Sequence, residues 1–123
     1  LAFSVNSPAQ YALAKYLEIF DPLENLKTMQ QKRDFFVAQM NALPFTVNEK
    51  AEAGYFQILG FEKISTLPDK EFAVWLTENA KVATIPVSAF YHDQQNTGTV
   101  RFCFAKKEET ILEAVSQLKK FLV

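Results

Sequence analysis

At 123 residues, 49% of them hydrophobic and 12 of them Phe, the chain is the size of one compact domain with ample material for a core. Thirteen basic residues against fourteen acidic ones leave a net charge of −1, and no basic cluster is denser than Lys106-Lys107 or Lys119-Lys120, which argues against nucleic acid and against an anionic membrane surface as partners. No apolar run reaches the roughly 18 residues of a membrane span and no charged-then-apolar leader opens the sequence, so a cytoplasmic setting is expected.

The first element lies in "SVNSPAQYALAKYL", where Ser7 is expected to cap a helix and Pro8 to be its first residue, its missing N–H costing nothing there. "DPLENLKTMQQKRDFFVAQMNALP" repeats the device: Asp21 caps, Pro22 leads, and Glu24 has the spacing of a capping box. Leu23, Leu26, Met29, Phe36, Val37, Met40 and Leu43 form the apolar stripe of this longer helix, and Pro44 stops it. Two strands are then expected, "FTVN" at 45–48 and "GYFQIL" at 54–59, paired with each other in antiparallel fashion across the loop "EKAEA".

"TLPDKEFAVWLTENA" reads as an amphipathic helix entered at Thr66 or Leu67 and ending near Ala80, with Phe72, Trp75 and Leu76 on one side. "KVATIPVSAFY" is a short strand closed by Pro86, and "HDQQNTG" is a polar loop in which mobility is expected. In "TVRFCFAKK" the residues Val100, Phe102 and Phe104 alternate with Arg101, Cys103 and Ala105, the signature of a strand with one apolar face. "KEETILEAVSQLKKFLV" closes the chain as a helix carrying Ile111, Leu112, Val115, Leu118 and Leu122. From residue 44 the order is β, β, α, β, β, α. The expected class is α+β: a two-layer small domain, a mostly antiparallel sheet with helices on one side, preceded by two helices.

Arg101 is the most informative residue. It is either a solvent-facing strand arginine without a task or a guanidinium fork set to hold a carboxylate or phosphate in two-pronged fashion. The small neighbours Cys103 and Ala105 describe a face that packs against something, and a charge there needs a partner. Cys103, the single cysteine, cannot form an internal disulfide and is expected to be a buried structural thiol. Ser116 to Lys119 has a Ser-x-x-Lys spacing, but it lies in the last turns of a helix, where lysines favourably face the dipole. His92 stands alone in a polar loop, so no metal site is expected. Gly54 marks a strand start or a close approach of backbone. With three scattered glycines there is no phosphate-binding loop.

Taken in order and spacing, "SVNSPAQYALA", "QKRDFFV", "AGYFQI", "VATIPVSAFY" and "VRFCFAKKEETILEA" resemble the C-terminal third of class I/II aminotransferases of fold type I, in the kynurenine, glutamine and methionine aminotransferase branch. "IPVSAFY" and "VRFCFAKKEET" are its most specific parts. The resemblance implies that residues 1–43 are the tail of a large domain with a long connecting helix and that 44–123 are the small domain. It implies that Arg101 binds the α-carboxylate of the amino-acid substrate. Phe3 and Ser4 align with a segment that reaches a neighbouring subunit's pocket, Ser4 standing where relatives carry histidine, while Tyr55, Ser88 and Phe90 resemble small-domain residues near the cleft, with packing as the leading role for each and cleft-lining the other. The cofactor implied is pyridoxal 5'-phosphate, the substrates an amino acid and a 2-oxo acid, and the parent a homodimer. The Schiff-base lysine and most phosphate ligands of the family fall upstream of Leu1. The chain is therefore expected to be a fragment, inactive by itself, that self-associates through its first two helices. The alternative is a free-standing, non-enzymatic α+β module that binds a ligand or a protein.

Overall fold

A computed structural model describes residues 6–122. Helix α1 spans Ser7–Ile19 and α2 spans Pro22–Met40; strand β1 is Phe56–Gly60, and α3, Asp69–Trp75, runs on into a π-helical turn at Leu76–Ala80. Strand β2 is the pair Ile85–Pro86, followed by a 3₁₀ turn at Val87–Phe90; strand β3 is Thr99–Cys103, and α4 is Glu108–Leu122. The three strands lie in the order β1-β3-β2, and both neighbours run antiparallel to β3.

The alternation expected of the arginine strand is present: Val100 and Phe102 are buried, whereas Arg101 and Cys103 are half-buried on the opposite face. The inner face also carries Leu59 and meets α2, α3 and α4 in one core. Phenyl rings dominate it. Phe61 stacks on Phe72 with centroids 4.0 Å apart, and Phe102 meets Phe45 edge-on at 5.5 Å and Phe36 at 5.8 Å. Pairs of this kind add about 0.5–1.5 kcal/mol each beyond the area they bury. Helix α2 joins the core through its second half, with Phe35 packed against it and Phe36 the first residue buried in it, and no described residue of α1 is buried. From α4, Ile111, Val115 and Leu118 are buried, while Leu112 faces out.

Several local expectations are corrected. Asn6, not Ser7, caps α1, its Oδ1 accepting the Ala9 N–H at 3.0 Å, and Ser7 is the first helical residue. Asp21 does cap α2, but its side chain accepts from Leu23 at 2.9 Å, and the Glu24 N–H bonds the Asp21 carbonyl instead. Residues 45–48 do not form a strand paired along 54–59; a single bridge joins Thr46 to Gly60. Beyond that bridge the chain leaves β1 for a loop held by Gln57, whose amide accepts the Ala51 N–H at 3.0 Å and donates to the Glu49 carbonyl at 2.7 Å. A side chain thereby satisfies loop groups that a hairpin partner would otherwise take.

Helix α3 starts later than expected, with Pro68 in the cap position. Strand β2 ends at Pro86 as expected, but it is only the two residues Ile85–Pro86 long. The thiol of Cys103 is half-buried on the outer face, not in the core, because it shares the parity of Arg101 along the strand.

Candidate functional site

The outer face of the sheet is built by register. Ile58 of β1 and Ile85 of β2 sit opposite Arg101 on either side, and Phe56 sits opposite Cys103. Because opposite residues in an antiparallel pair share a face, these side chains surround the arginine. Its guanidinium carbon lies 3.8 Å from the centroid of the Phe56 ring and 4.7 Å from that of Phe90. Two phenyl faces thus hold the cation, an attraction of the cation to ring quadrupoles worth about 0.5–2 kcal/mol each.

What the arginine lacks is an anion. Its Nε is buried without a hydrogen-bond partner, and none of the three ion pairs among the described residues involves it. Leaving such a donor unpaired costs about 1–3 kcal/mol, more for a charged group. Apolar plates around an unpartnered fork suit a planar anion arriving from outside, since desolvated walls strengthen a charge-assisted bond.

The site is positioned from two sides. Below Phe56, the Arg33 guanidinium bonds Asp34 Oδ1 through Nη2 at 2.9 Å and the Ala51 carbonyl through Nη1 at 2.9 Å, fixing the loop that leads into β1. The Arg33 hydrogen bond, helped by Lys50, holds the Asp34 carboxyl below its ordinary range. On the β2 side, the Asp69 carboxylate accepts the Ser88 N–H and hydroxyl, each at 2.7 Å, and so anchors the turn that presents Phe90.

Of the residues singled out by sequence, the structure brings Phe90 onto Arg101 and leaves Tyr55 half-exposed beside Phe56, their centroids 4.3 Å apart. Ser88 is buried, only 1% exposed, and committed to Asp69. Phe3 and Ser4 lie outside the described residues. Ser116, Lys119 and His92 are exposed, and no group of three or more metal-ligating side chains occurs among the described residues. Sequence reasoning missed Phe56 and Asp69. The first could be found only from the register of β1 on β3, and the second only from the approach of α3 to the turn after β2.

Residues 2–118 match the family described as aminotransferase class I and II. The methionine aminotransferase of Escherichia coli is 41% identical over 123 residues, covering 98% of this chain and 31% of that protein. An aspartate aminotransferase of Thermotoga maritima is 32% identical over 96% of this chain and 29% of its own length. Among solved structures, an Escherichia coli protein with a methionine aminotransferase function superposes with a TM-score of 0.84 at 40% identity, over 97% of this chain and 32% of that one. The N-succinyldiaminopimelate aminotransferase of Mycobacterium tuberculosis gives the same TM-score of 0.84 at 26% identity, over 98% of this chain and 32% of its own. The chain thus spans under a third of the length of these relatives. With the match running along nearly all of it in both sequence and fold, the chain belongs to the aminotransferase class I and II family.

Proposed function

We propose that this chain is the substrate-carboxylate-binding part of a pyridoxal-phosphate-dependent aminotransferase that moves an amino group from an amino acid to a 2-oxo acid. The observation that carries the proposal is the Arg101 guanidinium, clamped between Phe56 and Phe90 with its Nε buried and unpartnered. A guanidinium fork packed on two rings is suited to hold both oxygens of a carboxylate, and with them the orientation of the Cα–H bond, a proximity contribution that a point charge on a flexible stem does not supply. Relatives are named for methionine, aspartate and kynurenine, and what such donors share is the α-carboxylate that Arg101 is proposed to hold.

The cofactor supplies the electron sink of such a reaction when bound. The described residues do not fit its seat. Ser116 and Lys119 are exposed on α4, a helix packed on the inner face through Ile111, Val115 and Leu118, whereas Arg101 lies on the outer face. The chain by itself is therefore read as inactive, with the Schiff-base lysine supplied from elsewhere in a homodimeric, cytoplasmic parent. Residues 1–43 are read as large-domain tail and connecting helix and 44–123 as small domain, which agrees with burial on α2 beginning at Phe36.

The test is kinetic. In the full-length protein, Arg101→Ala is expected to raise KM and lower kcat together, reducing kcat/KM on the order of 100-fold, as loss of a desolvated charge partner does. Arg101→Lys restores little of it. An Arg101→Ala variant with unchanged kcat/KM would sink the assignment.

A further inference from the structure

Resting on the reading of Arg101 as the carboxylate ligand, we propose that Asp69 is a positioning residue for that site, acting through Ser88 and Phe90. Asp69 is 1% exposed and makes no ion pair among the described residues. A buried carboxyl group without a cation is costly wherever hydrogen bonds do not compensate. Its bonds go to one place: Oδ2 accepts the Ser88 N–H at 2.7 Å and Oδ1 accepts the Ser88 hydroxyl at 2.7 Å. Ser88 is itself 1% exposed, so water does not compete for either bond.

Ser88 sits in the turn Val87–Phe90, and the far end of that turn is the ring that covers the Arg101 guanidinium at 4.7 Å. Phe90 is 61% exposed and so has little packing of its own to hold it there. The Asp69 backbone adds a second tie. Its N–H donates to Asn96 Oδ1 at 3.2 Å, and the same oxygen accepts the Gly98 N–H at 3.0 Å, one residue before β3 begins. Gly98 has a φ of +63°, the left-handed region that favours glycine. The first residue of α3 thus fixes both the plate over the arginine and the entry of the strand that carries it. A carboxyl is suited to this because one group offers two acceptors to an N–H and an O–H at once.

The experiment measures binding of hexanoate, a monocarboxylate without an amino group, to the full-length protein by calorimetry, which reads the carboxylate site apart from turnover. Asp69→Ala is expected to weaken binding about tenfold, and Asp69→Asn to stay within about twofold of wild type, because a carboxamide can accept the Ser88 N–H and donate to Oγ. Placed on Phe90→Ala, the same Asp69→Ala change is expected to add less than about twofold, since the route through the ring is already broken. If Asp69→Ala does not fold, Ser88→Ala replaces it, with a loss of about threefold that vanishes on the Phe90→Ala background. Equal losses with and without Phe90, or a loss of thermal stability with hexanoate binding unchanged, overturn the proposal while leaving Arg101 in place. Undiminished binding by Arg101→Ala overturns the carboxylate reading and this one with it.

Discussion

Arg101 was legible as a single residue because alternation along its own strand exposes it: three apolar neighbours of one parity leave the cation on the other face. The rings that clamp it were not equally legible. Phe90 lies eleven positions away on the far side of a polar loop, and Phe56 reaches the guanidinium only through a cross-strand register that local pattern does not encode. The same holds for the clamp beneath β1. Asp34 has no apolar pattern to announce it, yet its carboxyl is held below its ordinary value of 3.8, chiefly by the Arg33 hydrogen bond and further by Lys50. A depressed folded-state value gives stabilisation that is complete above the unfolded value and is lost as pH falls through the folded one. The tie from Arg33 to the loop at Ala51 should therefore weaken only below about pH 4. Carboxyl NMR titration is expected to place the Asp34 midpoint below 3.8, and Arg33→Gln to bring it back up. A wild-type midpoint at or above the ordinary value would contradict the clamp.

Among the elements, those with caps and sustained periodicity came out close to expectation, and the short strands did not. The Asp21 cap, the end of α2 before Pro44 and the whole of α4 follow from local rules. The partner of β1 does not, because pairing with β3 closes a gap of some forty residues and no turn residue marks it. The cap at Asp21 also has a bounded effect. Its side chain holds one N–H of a first turn whose Leu23 and Leu26 are exposed, and core packing on α2 starts three turns later. Asp21→Ala is expected to cost about 0.5–1 kcal/mol, with faster amide exchange at Leu23 and Glu24 and unchanged protection at Val37. Equal loss of protection along the helix would show that the first turn is coupled to the core after all.

Considered as a whole, the molecule is lopsided. Among the described residues every buried one lies at Phe36 or beyond, whereas Tyr11, Leu13, Leu17 and Ile19 of α1 and Leu23 and Leu26 of α2 are exposed. So many exposed large apolar side chains on two helices favour association. The 123-residue chain is expected to self-associate in a concentration-dependent way by sedimentation, and Leu13→Glu with Leu17→Glu to shift it towards monomer without changing its melting temperature, since α1 contributes nothing to the core. A monomer across the accessible concentration range would show that α1 folds back on the domain in solution.

The strand order has a consequence for how the molecule comes into being. Strands β1 and β2 never touch; each is joined to the sheet only through β3. In a growing chain neither β1 nor β2 has its sheet partner until residues 99–103 emerge. Arg101 is therefore not added to a finished scaffold. It stands on the strand that completes this sheet, so no intermediate with the native three-strand order lacks it.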